Sequence, residues 1–242
     1  RSSDLKLNRS SFFRFFLENK IDKIVEGSSF VAAGNTYLKN YAITLNSNTA
    51  LFPTVLDTDR YLPSKNRSSS KFTIGWIGSP STAIYLKELI APLTTLGLEG
   101  SVLLKIVGGK APDIPNIEVE EVPWSETTEI ESINSFDVGV MPLVDDEWSK
   151  GKCAFKLLQY MACELPVIAS NVGANIDVVS SNCGYLVESD LMWLDALRLL
   201  RDNSKLRKSL GRKGREKVIE SYSLKSNLPI LIKAINNLSP KT

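Results

Sequence analysis

Two lysines, a glutamine and two cysteines sit in the segment GKCAFKLLQYMACELPVIAS, residues 151–170, at spacings that could do chemistry. Lys156, Gln159 and Cys163 fall at i, i+3 and i+7, so a helix carries them on one face, with Phe155, Leu158 and Ala162 on a second, apolar face. Gly151, Lys152, Cys153 and Ala154 lead into that helix. Backbone N–H groups at a helix start lack intrahelical partners and carry partial positive charge. Lys152 and Lys156 beside them make a place for a diphosphate. One turn on, the Gln159 amide can pair with ribose hydroxyls. The apolar run 165–169 is short enough for a buried parallel strand, which places the helix centrally. The plainer alternative is a surface helix with snorkelling lysines and a solvated glutamine.

Four further segments carry candidate residues. In GWIGSPST, residues 75–82, Gly78 permits close backbone approach, and Ser79, Ser81 and Thr82 can cap a helix or donate to phosphate. Taken alone, an ordinary capped turn explains it as well. Gly108 and Gly109 close another apolar run in VGGK, either as a plain turn or as one that leaves room for a ligand. Trp124 in VPWS can shelter a base or sugar ring, or simply pack, with Ser125 suited to capping. Asp145, Asp146 and Glu147 could ligate a divalent ion. No second carboxylate cluster accompanies them at a strand end, so they read as a solvated loop and no metal site is expected.

Composition removes several classes of function. With 29 basic and 27 acidic residues the net charge is +2, which gives no argument for nucleic-acid binding. A hydrophobic share of 43% and a charged share of 23% are those of a soluble globular chain. No apolar run approaches the ~20 residues of a membrane span; no leader is visible, but the sequence starts at Arg1 with no initiator Met, which leaves room for a missing one. Histidine is absent, so no histidine base, triad or zinc site can be built from these residues. Cys153, Cys163 and Cys183 are odd in number and lack CxxC spacing, which suits reduced thiols in a cytoplasmic setting.

The elements that must position these residues follow from periodicity. An amphipathic helix is expected over 10–26, a short strand over 29–33 and a helix over 36–45. Residues 53–70 are rich in proline, serine and charge and read as a linker, with SKNRSSSK as a low-complexity stretch. From residue 71 strands and helices alternate. Strands are expected at 72–77, 101–107, 116–120, 137–143, 166–169 and 184–187. Helices are expected at 83–96, 126–135, 154–163, 190–200, 204–221 and 225–238. That alternation implies an α/β fold with a parallel sheet covered on both faces, whose ligand sits beyond the carboxyl ends of the strands.

Taken in order, these segments resemble the C-terminal half of a GT-B glycosyltransferase of the group 1 type, family 4. The resemblance rests on GWIGSP from Gly75, VGG from Val107, FDVGVMPL from Phe136 and, above all, KLLQYMACELPVIAS from Lys156 with VGAN from Val172. GYLV from Gly184, Arg215 and YSL from Tyr222 complete it, and VAAGNTYL from Val31 with PTVLD from Pro53 resembles the end of the N-terminal domain and the start of the linker. It covers residues 22–224 and implies a Rossmann-like parallel sheet. Residues 1–52 are then a remnant of the acceptor domain, 53–70 the linker, 71–224 the nucleotide-sugar domain and 225–242 a helix crossing back.

The resemblance implies transfer of a sugar from a UDP- or GDP-sugar to a glycan or lipid-linked acceptor, in bacterial cell-surface polysaccharide synthesis and with retention of configuration. It implies no cofactor and no metal. Any peripheral contact with the inner face of the plasma membrane belongs to the absent N-terminal part, without which this half transfers nothing. Lys152 and Lys156 take the catalytic role of stabilising the diphosphate leaving group. Gly78, Ser79, Ser81, Thr82, Gly108, Gly109, Trp124, Gly151, Cys153, Ala154, Phe155 and Gln159 bind the donor. Three departures stand out. Of the family's Glu-x7-Glu pair, Gly151 occupies the first position and Gln159 the second. Ala154 and Glu164 replace glycines common before Phe155 and Leu165. The phosphate-contacting Arg and Lys near the first loop are not evident. The loss of the first Glu raises the alternative of a nucleotide-sugar-binding domain without transfer; a nucleotide-sugar epimerase is a third reading, against which KLLQYMA speaks.

Overall fold

The computed structural model describes residues 20–64 and 71–238. Helix α1 (Lys20–Glu26) is followed by β1 (Val31–Ala33), α2 (Thr36–Ala42) and β2 (Thr49–Leu51), and the two strands pair in parallel. Residues 10–19 of the expected first helix, and 65–70 of the expected linker, lie outside the described residues. The described part of that linker is docked rather than loose. Leu56 and Tyr61 are buried, and Leu56 exchanges backbone hydrogen bonds with Tyr222 and Leu224 near the other end of the chain.

Six strands then build the main sheet. Along the chain, β3 (Phe72–Ile77) leads into a 3-10 helix (Pro80–Leu89) and α3 (Ile90–Leu98), and β4 (Val102–Val107) into β5 (Glu118–Val122) and α4 (Glu129–Asn134). Next come β6 (Val138–Met141), α5 (Glu147–Lys150), α6 (Phe155–Ala162), β7 (Val167–Ser170), α7 (Ala174–Val178) and β8 (Gly184–Val187). Helices α8 (Asp190–Asp202), α9 (Ser204–Lys217) and α10 (Leu224–Asn236) close the chain, with a π-helical turn (Val218–Tyr222) before the last. The strand order is β5-β4-β3-β6-β7-β8, every pair parallel, so the Rossmann-like doubly covered sheet is present.

Strands β3, β6 and β7 are buried along their whole length, which is why they read as unbroken apolar runs. Two cores result. Leu157, Leu158, Tyr160 and Met161 of α6 fill one face. Leu86, Leu89, Leu93, Leu96, Trp193 and Leu197 fill the other. Gly75 and Gly139 face each other in register across β3 and β6. A Cβ on Gly75 would lie 1.9 Å from the Phe136 ring, and one on Gly139 would lie 2.2 Å from the Tyr160 ring. The bare backbone therefore lets these two rings, packed edge to face at 6.2 Å, approach the strands closely. Tyr160 also accepts the Ile77 N–H at 2.9 Å, which fixes α6 against the end of β3.

Several boundaries differ from the sequence expectation, each for a local reason. The helix expected at 83–96 splits, because Pro92 clashes with the carbonyl of the residue four before it and supplies no N–H. The strand expected from residue 116 begins at Glu118, because Asn116 takes φ 63°. The helix expected from 126 starts at Glu129, after a turn in which Ser125 Oγ accepts the Thr128 N–H. Helices α5 and α7 have four and five residues, too short to show a period.

Candidate functional site

Residues 151–163 fold differently from the single helix expected from their spacing. Helix α6 begins at Phe155, not before it, because Ala154 adopts the left-handed conformation at φ 54° and turns the chain. Gly151 and Lys152 are consequently not in its first turn. Gly151 is the C-cap of α5, and Lys152 and Cys153 lie in the connection. The expected division into a polar and an apolar face is also absent. Residues Leu157 to Ala162 are all buried, and the exposed side chain is Phe155, at 41%.

Both lysines nonetheless converge. Lys156 Nζ lies 4.4 Å from the centre of the Trp76 ring and donates to Thr82 Oγ1 at 3.3 Å. Lys152 Nζ lies 4.0 Å from the centre of the Tyr85 ring. Neither is in an ion pair with a carboxylate among the described residues. Burial pushes the Lys156 ammonium down to about 8, with repulsion from Lys152 adding to it. Burial also lowers Lys152, against the attraction of the Asp146 carboxylate, which acts to raise it. A second source of positive potential is the α6 N-terminus, where Ala154 offers no side-chain oxygen to the first-turn N–H groups. Two partly desolvated cations and uncapped backbone donors give this part of the surface a positive potential.

Gly78 joins this site to a neighbouring cleft. A Cβ there would fall 2.6 Å from Lys156 Nζ and 2.7 Å from Trp76. Gly108, at φ 79°, packs against the Gly78 carbonyl, where a Cβ would come within 2.5 Å. Gly109 lies over the same Trp76 ring. The glycines thus let the two loops close on each other above Trp76. Beyond them opens a cleft of about 850 Å³, walled by Gly108, Gly109, Lys110 and Trp124 on one side and Pro80, Ala83 and Lys87 on the other. Glu121 accepts the Ala111 N–H at 2.8 Å and holds that turn. Ser79, Ser81 and Thr82 share hydroxyl hydrogen bonds at the start of the 3-10 helix.

Gln159 is placed elsewhere than the spacing suggests. It is 4% exposed, and its Nε2 donates to Tyr61 Oη at 2.9 Å. Tyr61 in turn donates to Glu129 Oε1, and Trp124 Nε1 donates to Glu129 Oε2 at 2.7 Å. This chain ties the docked linker to the cleft wall, and burial together with the Glu129 hydrogen bond pushes the Tyr61 phenol up to about 12. The acidic loop has structural partners: Asp146 accepts the Ser149 N–H at 2.7 Å to cap α5, and Asp145 pairs with Lys150 at 2.8 Å. Among the described residues no group of three or more His, Cys, Asp or Glu could hold a metal ion.

Residues 72–203 match the family described as glycosyl transferases group 1. The chain belongs to that family. The fold places it with known GT-B structures. A TarM variant of S. aureus, in complex with fondaparinux, α-GlcNAc-glycerol and UDP, superposes with a TM-score of 0.72 at 20% identity over 90% of this chain and 46% of that one. HepE of Anabaena with UDP and glucose gives 0.74 at 12% identity, covering 91% and 66%. A glycosyltransferase of Rickettsia africae gives 0.74 at 13%, covering 97% and 69%. The chain thus spans about half the length of TarM. No curated protein matches it significantly. No described helix is long and apolar enough to cross a membrane.

Trp76, Tyr85, Tyr61 and Glu129 are the site residues that sequence reasoning missed. An aromatic inside an apolar strand reads as core, which Trp76 also is. Glu129 did carry a weak signal, as an acid beside the base-sheltering Trp124.

Proposed function

We propose that this chain is the donor-binding half of a glycosyltransferase that takes a sugar from a nucleoside diphosphate sugar. The observation that carries the reading is the pair Lys152 and Lys156, partly desolvated, outside salt-bridge distance of any described carboxylate and adjoining, across Gly78, a cleft of about 850 Å³. The base lies against Trp124 and the Gly108–Gly109 turn. The diphosphate lies at the lysines and the α6 N-terminus. As the glycosyl bond breaks, negative charge accumulates on the leaving diphosphate, and the two ammonium groups stabilise it without a metal. Sugar transfer needs an acceptor part contributed from outside residues 71–224, and retention of configuration, a UDP or GDP donor and a role in cell-surface polysaccharide synthesis belong to this proposal.

Gly151 offers no carboxylate at the position where the family has its first Glu, which favours a second reading, a binding domain without transfer. Incubating the full protein with radiolabelled UDP- and GDP-sugars and crude lipid-linked acceptor separates the two. Labelled product supports transfer. Tight donor binding without product supports the second reading, and no donor binding overturns both.

A further inference from the structure

Asn35 lies far from the lysines in sequence, yet it holds their loop. It follows β1 and is 3% exposed. Its Oδ1 accepts the Leu38 N–H at 2.8 Å and so caps α2. Its Nδ2 donates to two carbonyls, Lys150 at 3.0 Å and Lys152 at 2.9 Å. These carbonyls bracket Gly151, at the end of α5, where a four-residue helix leaves carbonyls unpaired. The neighbours press from the same side. A Cβ on Gly34 would come 2.7 Å from Cys153 Sγ, and Thr36 Oγ1 donates to Asp177 Oδ2 at 3.1 Å. One amide group therefore uses its oxygen to start a helix in the β1–β2 unit and its nitrogen to fix the backbone of the loop that carries Lys152.

We propose that Asn35 is a positioning residue for the diphosphate, holding the backbone on both sides of Gly151 so that Lys152 stays over Tyr85 and faces the ligand phosphates. This rests on the reading of the two lysines as a diphosphate site. It gives the β1–β2 unit a direct mechanical connection to donor binding, since any displacement of α2 drags Lys150 and Lys152 with it.

Two substitutions test it in the full protein, Asn35→Asp and Asn35→Ser. Both retain an oxygen that can cap α2, and neither presents an N–H to the two carbonyls. The readouts are calorimetric affinity for UDP, GDP and the corresponding nucleosides, and amide hydrogen exchange. The expected result is diphosphate affinity weakened by about tenfold to a hundredfold with nucleoside affinity unchanged. Exchange rises about tenfold within residues 147–156 and stays at the wild-type level in α2. Equal loss for nucleosides and diphosphates, or unchanged diphosphate affinity with unchanged exchange, overturns the proposal and leaves the lysine site standing. Failure of the wild-type protein to bind either diphosphate overturns the lysine site itself, and the proposal with it.

Discussion

Replacing Lys156 with methionine should make the protein more stable and unable to hold a diphosphate. Methionine keeps the length and apolar contacts of the lysine stem over Trp76 and removes the charge. The magnitude follows from proton linkage. The unfolded chain keeps the lysine proton up to an ordinary 10.5, the folded one only to about 8, with burial the main cause. That difference corresponds to about 3 kcal/mol of destabilisation at pH 7. Loss of the ammonium–Trp76 contact offsets up to about 2 kcal/mol of the gain, so Lys156→Met should stabilise by about 1–3 kcal/mol at pH 7. The sign of the pH dependence is fixed as well. Between about pH 8 and 10.5 the unfolded state binds more protons, so wild-type stability rises with pH, by about 2 kcal/mol from pH 7 to pH 9.5. The Met variant lacks this rise, and its advantage shrinks across the same window. Urea unfolding of both proteins at the two pH values measures it. A variant less stable than wild type at pH 7, or an advantage independent of pH, would refute the reasoning.

Other perturbations have equally definite outcomes. Tyr61→Phe leaves Gln159 Nε2 and Glu129 Oε1 short of a buried partner, and should lower stability by about 1–3 kcal/mol in urea unfolding. Ala154→Gly and Glu164→Gly relieve left-handed backbones at φ 54° and 56°, so each should stabilise by about 1 kcal/mol in the same experiment. Trp124→Ala should weaken nucleoside binding by about tenfold in calorimetry through lost base stacking.

The fold was legible where burial on both faces makes a strand unmistakable, as in Phe72–Ile77. It was not legible where one residue redirects the chain, as Pro92, Asn116 and Ala154 do. Ala154 and Glu164, which stand where the family commonly has glycine, turn out to be two of the three described left-handed non-glycine positions, a conformation the sequence alone did not point to. Within the segment, Lys156 stands in the first turn of its helix as the spacing suggested, whereas Lys152 lies in the connection before it. The side-chain direction of Gln159 could not, because its partner Tyr61 is 98 residues away in the chain. Asn35 was equally hidden, since its meaning depends on carbonyls 115 and 117 residues distant.

The central claim is that Lys152 and Lys156 bind a diphosphate, and the most direct measurement is calorimetric titration of nucleoside, nucleoside monophosphate and nucleoside diphosphate into wild type and the Lys152→Ala, Lys156→Met double variant. Affinity should rise with each phosphate in wild type and stay nearly flat in the variant, with the nucleoside itself bound equally by both. Diphosphate affinity no greater than that of the nucleoside in wild type, or preserved in the double variant, would contradict it.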